Sequence, residues 1–337
     1  MNRILCVALS VLAVSVMMFA VPYAANGAKD PATLGLDWLP IGNHVGIFAA
    51  QDKGFYAREN LDLNIKRGFG SSDTVKRIGA GESDFGHADI ASAIVGRSRG
   101  LPVKSVGVVF SSGFNALYAL KSSGVRTPKD LEGKTFGDTA GGSTRTLLPA
   151  FLQANGIKNM PWLSMKGSAK NSSLISGKVD TIGTGISTAG ILRDKARKNG
   201  DDIVVFFFSD YGVDIYAHGF LIRDDLAQSK PDLIRRFVKA TFEGIAWAVE
   251  HPSEAVASYR KRQPMQTLRG VRSQWDGTVR SLLSAYAVKH GIGHINEKKM
   301  AYTIDTMTRL MKLPRRVSPS EMYTNRFLPK LFPKAGK

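Results

Sequence analysis

Trp38 and His44 bracket a short turn, and the chemistry they offer is recognition rather than bond-making. An indole presents a flat stacking face, and an imidazole is a switchable donor or acceptor. Asn43, between them, has the side chain of a helix cap and of a polar contact. Three further stretches carry groups of the same kind. In Gly86-His87-Ala88-Asp89, Ala88 and Asp89 offer a backbone and a carboxylate contact, though Asp89 equally caps the segment from Ile90. Ser111 and Ser112 supply hydroxyls. Gly141-Gly142-Ser143-Thr144 reads as a helix start, where glycines admit close approach and free N–H groups favour an anionic or acceptor-rich ligand. Arg145 adds charge beside it. Asp210 and Tyr211 complete the set, as an acceptor and a stacking or donating ring.

A catalytic reading needs a nucleophile, an acid–base pair or a metal set. The sequence has no Gly-x-Ser-x-Gly, no His-Glu-x-x-His and no Gly-x-Gly-x-x-Gly. Its six histidines, at 44, 87, 218, 251, 290 and 294, are scattered, and glycines interrupt the 290/294 pair. Cys6 is the single cysteine. The expectation is a binding protein and not an enzyme, with no catalytic residue, no metal site and no cofactor.

Charge points the same way. Forty-six basic against 28 acidic residues give +18. The positive residues are spread, with local clusters at Arg193–Lys198, Arg260–Arg262 and Lys312–Arg316, none interleaved with aromatics as a nucleic-acid surface would be. No nucleic acid is expected as partner. The balance suits an exported protein that meets acidic surfaces or anionic solutes.

The N-terminus supports export. Met1-Asn2-Arg3 is a positive start, Ile4 to Val21 is apolar, and Pro22 leads to Ala25-Asn26-Gly27 with small residues at the cleavage positions. Residues 1–28 read as a secretory signal peptide, and a retained membrane anchor is the alternative. Cys6 precedes most of the apolar run, so a lipid anchor is not expected, and the mature chain would hold no cysteine.

The recognition groups must be positioned by an alternation of strands and helices. Ala32–Leu39, Leu61–Gly68, Asp84–Ala88, Val103–Phe110 and Ala116–Leu120 read as strands. Gly46–Asn60 and Ser72–Gly81 read as the helices between the first of them. A second unit repeats the pattern, with strands at Lys134–Asp138, Trp162–Met165, Thr181–Ile186 and Ile203–Phe208. Tyr216–Ile222 then reads as a strand rejoining the first sheet, and the remainder is helical. The expected division is a first lobe over 29–120, a second over 121–214, and a return strand with a helical tail over 215–337. Ligands commonly lie between such lobes and at strand C-termini.

At Asp37 to Leu63 the residues become specific. DWLPIGNHVGIFAAQDKGFYARENLDL resembles the start of ABC-importer solute-binding proteins of the thiamine-pyrimidine-precursor branch, within the sulfonate, nitrate and taurine type of receptor. The matching elements are Trp38, Pro40, His44, Gly46, Gly54-Phe55-Tyr56 and Leu61-Asp62-Leu63. Gly81-Glu82-Ser83-Asp84-Phe85-Gly86, Gly100-Leu101-Pro102-Val103, Thr127 to Lys134, Gly177-Lys178-Val179-Asp180 and Phe237 to Val256 follow in the family's order. The resemblance covers roughly residues 32 to 260.

It implies an α/β type II periplasmic-binding fold: two α/β lobes, a hinge and a helical C-terminal tail, closing on a ligand. It implies a periplasmic monomer, whose partners are a small-molecule solute and an ABC permease driven by a separate ATPase. Two stretches depart from the pyrimidine-binding pattern. Ile41 stands where those members usually carry Asn, and Gly185-Ile186-Ser187-Thr188-Ala189 lacks their carboxylate. The implied solute is flat and neutral or anionic, a pyrimidine thiamine precursor being the leading named case beside aromatic acids and sulfonates. Fungal relatives instead make that pyrimidine by consuming a histidine and a bound pyridoxal phosphate, and His44 resembles the position concerned. They are cytosolic and carry a cysteine-rich iron motif, whereas the mature chain expected here has no cysteine. A membrane-tethered sensor is a third reading.

Overall fold

The computed structural model describes residues 28–111 and 113–332. The signal-peptide reading falls outside them. Ten strands form two five-stranded sheets. The first holds β1 (Asp30–Gly35), β2 (Leu61–Lys66), β3 (Phe85–Asp89), β4 (Val103–Val108) and β10 (His218–Arg223), in the order β2-β1-β3-β10-β4. The second holds β5 (Asn115–Leu120), β6 (Phe136–Asp138), β7 (Trp162–Ser164), β8 (Thr181–Gly185) and β9 (Ile203–Phe207), in the order β7-β6-β8-β5-β9.

The helices are α1 (Val45–Asp52), α2 (Phe55–Arg58), α3 (Ser71–Gly79), α4 (Ile90–Ser98), α5 (Ser143–Ala154), α6 (Lys170–Ile175) and α7 (Ala189–Lys198), then α8 (Leu226–Ser229), α9 (Pro231–Glu250), α10 (Pro252–Arg262), α11 (Leu268–Leu282), α12 (Ala285–His290), α13 (Glu297–Met311) and α14 (Pro319–Met322). The expected helix over Gly46–Asn60 is two helices. Gly54 has φ +73°, a left-handed conformation that glycine adopts freely and that ends the α-helical ladder.

Each sheet is parallel except for one strand. β10 runs antiparallel to β3 and β4, and β5 antiparallel to β8 and β9. These are the strands that follow the two crossings of the chain between lobes. The sequence reading placed Ala116–Leu120 at the end of the first lobe. The structure corrects this, because β5 lies inside the second sheet. An apolar strand satisfies either sheet, and the crossing before it, between Val108 and Asn115, is too short to read as a domain boundary.

Burial follows the pattern of the sequence. Along β2, Leu61 and Leu63 are buried while Asp62 and Asn64 are exposed. β3, covered on both sides, is buried throughout. α9 begins with Pro231 in its first turn, where a missing N–H costs nothing. It lays Phe237 face to face on Phe85, ring centroids 3.7 Å apart. The tail touches both lobes: α13 packs on α4 and α5, and α11 packs on the turns at 42–44 and 186–188. No helix among the described residues is long and apolar enough to cross a membrane.

Candidate functional site

Strands of both sheets end at the gap between the lobes, and a cavity of about 240 Å³ lies there. Asp37 and Trp38, just past β1, form part of the first lobe's wall. The Asp37 carboxylate is the centre of a buried cluster. Its Oδ1 accepts from His44 Nε2 at 3.0 Å and from His87 Nδ1 at 2.8 Å. Its Oδ2 lies 3.2 Å from His218 Nε2.

The electrostatics follow from this packing. Burial alone would raise the Asp37 pKa, but the His218 charge and the three imidazole hydrogen bonds hold it well below the usual carboxylate range. Burial pushes His87 down to about 4 despite its bond to Asp37. Burial also opposes charge on His218, yet Asp37 and the nearby Asp89 raise its pKa. Asp37 and His218 therefore form a charged pair, with His87 neutral beside it.

Asp37, His44 and His87 also bring three metal-ligating atoms within 4.8 Å of one another. Their protons argue for a hydrogen-bond hub rather than an ion site. The Ile41 N–H donates to His44 Nδ1 at 3.3 Å, so the His44 proton sits on Nε2, the atom that faces Asp37. A protonated nitrogen has no lone pair for a metal.

The second lobe supplies the opposing wall. Asp138, the last residue of β6, is buried. Its Oδ1 accepts from Lys170 Nζ at 2.9 Å and from the Thr139 N–H at 2.7 Å, and its Oδ2 has no partner. Lys170 also donates to the Gly183 carbonyl at 2.5 Å and stands 5.3 Å over the Trp38 ring. Gly167 lies against the same indole, and a methyl group there would overlap it. The ring of Phe114 lines the cavity, stacked on Phe110. From the tail, Gln274 accepts the Gly42 N–H at 2.7 Å and reaches the same cavity.

Five expected contact residues line this cavity: Trp38, Asn43, Gly142, Ser143 and Thr144. The other expected residues that the structure describes are placed elsewhere. His44 is buried behind the wall and holds Asp37 instead of facing the gap. Ala88 is in the core, and Asp89 caps α4 through the Ser92 N–H and accepts from Asn115 Nδ2, a bond between lobes. Gly141 packs on Gly70 across the gap and accepts the Ser72 N–H. Ser111 lines a separate cavity beside Tyr216 and Tyr286, and Ser112 is outside the described residues. Asp210 accepts from Ser209, and Tyr211 packs on Phe151 and Phe206, away from the gap.

The sequence reading missed Asp37, Asp138, Lys170, His218 and Gln274. A signal existed for the two aspartates, since each directly follows or ends a strand at the edge where ligands collect. Lys170 and Gln274 carry no local signal.

Comparisons with known proteins agree with this architecture. The chain is 26% identical over 309 residues to the 4-amino-5-hydroxymethyl-2-methylpyrimidine phosphate synthase of Legionella pneumophila, covering 91% of this chain and 95% of that protein. It is 28% identical over 248 residues to the formylaminopyrimidine-binding protein of Halalkalibacterium halodurans, covering 71% and 74%. The periplasmic aliphatic sulphonate binding protein SsuA of Escherichia coli superposes with a TM-score of 0.68 at 15% identity, over 88% of this chain and 99% of that one. The fold is thus the periplasmic-binding-protein fold. Residues 41–255 match the family model described as NMT1/THI5 like, and the chain belongs to that family.

Proposed function

We propose that this protein is the extracytoplasmic receptor of an ABC importer, closing its lobes on a flat heterocycle rich in N–H donors. The observation that carries the reading is a pair of buried acceptors without partners, Asn43 Oδ1 and Asp138 Oδ2, on residues from opposite walls of one cavity. An orphaned buried acceptor costs about 1–3 kcal/mol, which a ligand N–H recovers. The Trp38 indole beside them offers the stacking face.

Charge balance argues against an anion. Lys170 is paired with Asp138 and His218 with Asp37, so these cavity cations are already neutralised. An aminopyrimidine suits these groups better than a sulfonate or nitrate does. The relatives named for pyrimidines support the same class. Export through residues 1–28, a periplasmic location, and delivery to a permease with a separate ATPase belong to this reading.

Titration calorimetry tests it, with 4-amino-5-hydroxymethyl-2-methylpyrimidine, an alkanesulfonate and nitrate. Saturable binding of the pyrimidine alone is expected, with the solute recovered unchanged. Preferential binding of either anion refutes the donor-rich ligand. The Legionella relative is named a synthase, so the recovered solution is also checked by mass spectrometry. Chemical conversion at a steady rate would replace the receptor with an enzyme.

A further inference from the structure

Of the three imidazoles around Asp37, only His218 belongs to the cavity wall. Its ring is fixed on several sides. Nε2 faces Asp37 Oδ2, the His87 ring stacks on it at 5.4 Å, and Phe114 and Phe110 meet it at 4.5 and 5.6 Å. Its Nδ1 is buried and has no partner. Buried polar atoms in folded proteins are nearly always paired, so a fixed ring with an orphan nitrogen calls for a partner from the cavity.

The charged surroundings decide which kind. Asp37 follows β1 and Asp89 ends β3, and both act on His218. His87 stands neutral beside it, and His44 donates its Nε2–H to Asp37 Oδ1. On the second lobe Lys170 neutralises Asp138 through Oδ1. Two carboxylates therefore act on one imidazole and favour its protonated form. With Nε2–H directed at Asp37, the second proton sits on Nδ1. That nitrogen is then a buried donor in need of an acceptor.

We propose that His218 is a specificity-determining residue whose Nδ1–H donates to a ring nitrogen of the solute, selecting flat nitrogen heterocycles over carbocyclic rings of the same shape. The inference rests on the receptor reading and deepens it. Asn43 and Asp138 accept from the solute's amino or hydroxyl donors, and His218 reads an unsubstituted ring nitrogen. Binding then holds the His218 proton in place. Above the pH at which the free ring deprotonates, binding takes up a proton from solvent, and affinity falls by up to tenfold per pH unit.

The probe is 4-amino-5-hydroxymethyl-2-methylpyrimidine, compared with its carbocyclic counterpart in which both ring nitrogens are CH. Calorimetry runs from pH 6.5 to 9 in phosphate and in Tris, whose ionisation heats differ. The wild type is expected to prefer the pyrimidine about ten- to hundredfold, the scale of a charge-assisted hydrogen bond, and to take up protons toward the alkaline end. His218→Gln retains a donor toward Asp37 and removes Nδ1. It is expected to lose both the preference and the proton uptake.

A folded His218→Gln that keeps either property overturns the assignment and leaves the receptor intact. Should that variant fail to fold, the wild type decides alone: equal affinity for the two rings overturns it. Binding of the sulfonate but neither ring overturns the assignment and also the donor-rich ligand. Binding of none of these solutes removes the receptor reading and this inference together.

Discussion

His87 is a buried imidazole kept neutral, and that makes acid stability a measurable property of this site. Its ordinary pKa is 6.5, and burial lowers it to about 4 in the folded protein. In the unfolded chain it binds its proton first, so the stability is fully present above pH 6.5 and is lost as pH falls toward 4. A difference of that size corresponds to roughly 3 kcal/mol at 1.36 kcal/mol per unit. His87→Asn keeps an N–H directed at Asp37 Oδ1 without a titrating group. Urea unfolding of both proteins is measured at intervals between pH 7 and 4. The wild type is expected to lose roughly 3 kcal/mol more than His87→Asn across that window. Asp37, whose carboxylate titrates lower, and His218, whose stabilising charge is lost as pH rises above its own raised value, are common to both proteins and cancel. Parallel pH profiles for the two proteins would refute the account.

Three further outcomes follow from the geometry. Trp38→Ala is expected to weaken an aminopyrimidine by at least about tenfold, because the stacking face is removed, with little change in melting temperature; calorimetry and thermal unfolding report the two effects. Asp138→Asn leaves Lys170 buried with no anion beside it. It is expected to cost about 3–5 kcal/mol in urea unfolding, and Asp138→Asn with Lys170→Met to recover much of that stability but none of the binding. Gly167→Ala places a methyl group into the Trp38 ring. Small-angle scattering with saturating ligand is expected to show a larger radius of gyration than in the wild type, and an unchanged radius would show that the lobes close without this contact.

The architecture was legible because alternation and glycine punctuation are local signals. The alternating Leu61-Asp62-Leu63-Asn64 declares its buried face without reference to any other element. β5 shows the limit of such signals: Ala116–Leu120 fit a covered strand, but only pairing with β8 and β9 reveals which sheet covers it. The site divides in the same way. Trp38, Asn43 and Gly142 to Thr144, which line the cavity, are singled out by the sequence because they flank strand–helix turns. His44 sits at such a turn too, and still faces inward, because Asp37 offers its Nε2 a carboxylate nearer than the cavity. Gln274 enters from the tail, 232 residues beyond the Gly42 it binds, and no local pattern announces that.

The two antiparallel strands also set an order of assembly. The five strands of the second sheet lie in one uninterrupted stretch, Asn115 to Phe207. During synthesis that sheet is complete in sequence while the first is not. β4 pairs with no strand of its own sheet except β10, which inserts between β3 and β4. Until His218–Arg223 emerge, the first half of the molecule holds an unmade centre, and the histidine that completes the Asp37 cluster arrives with the strand that fills it. The later-starting sheet is thus the first to have all its strands available, although its lobe still waits for the tail helix α13 that packs on α5.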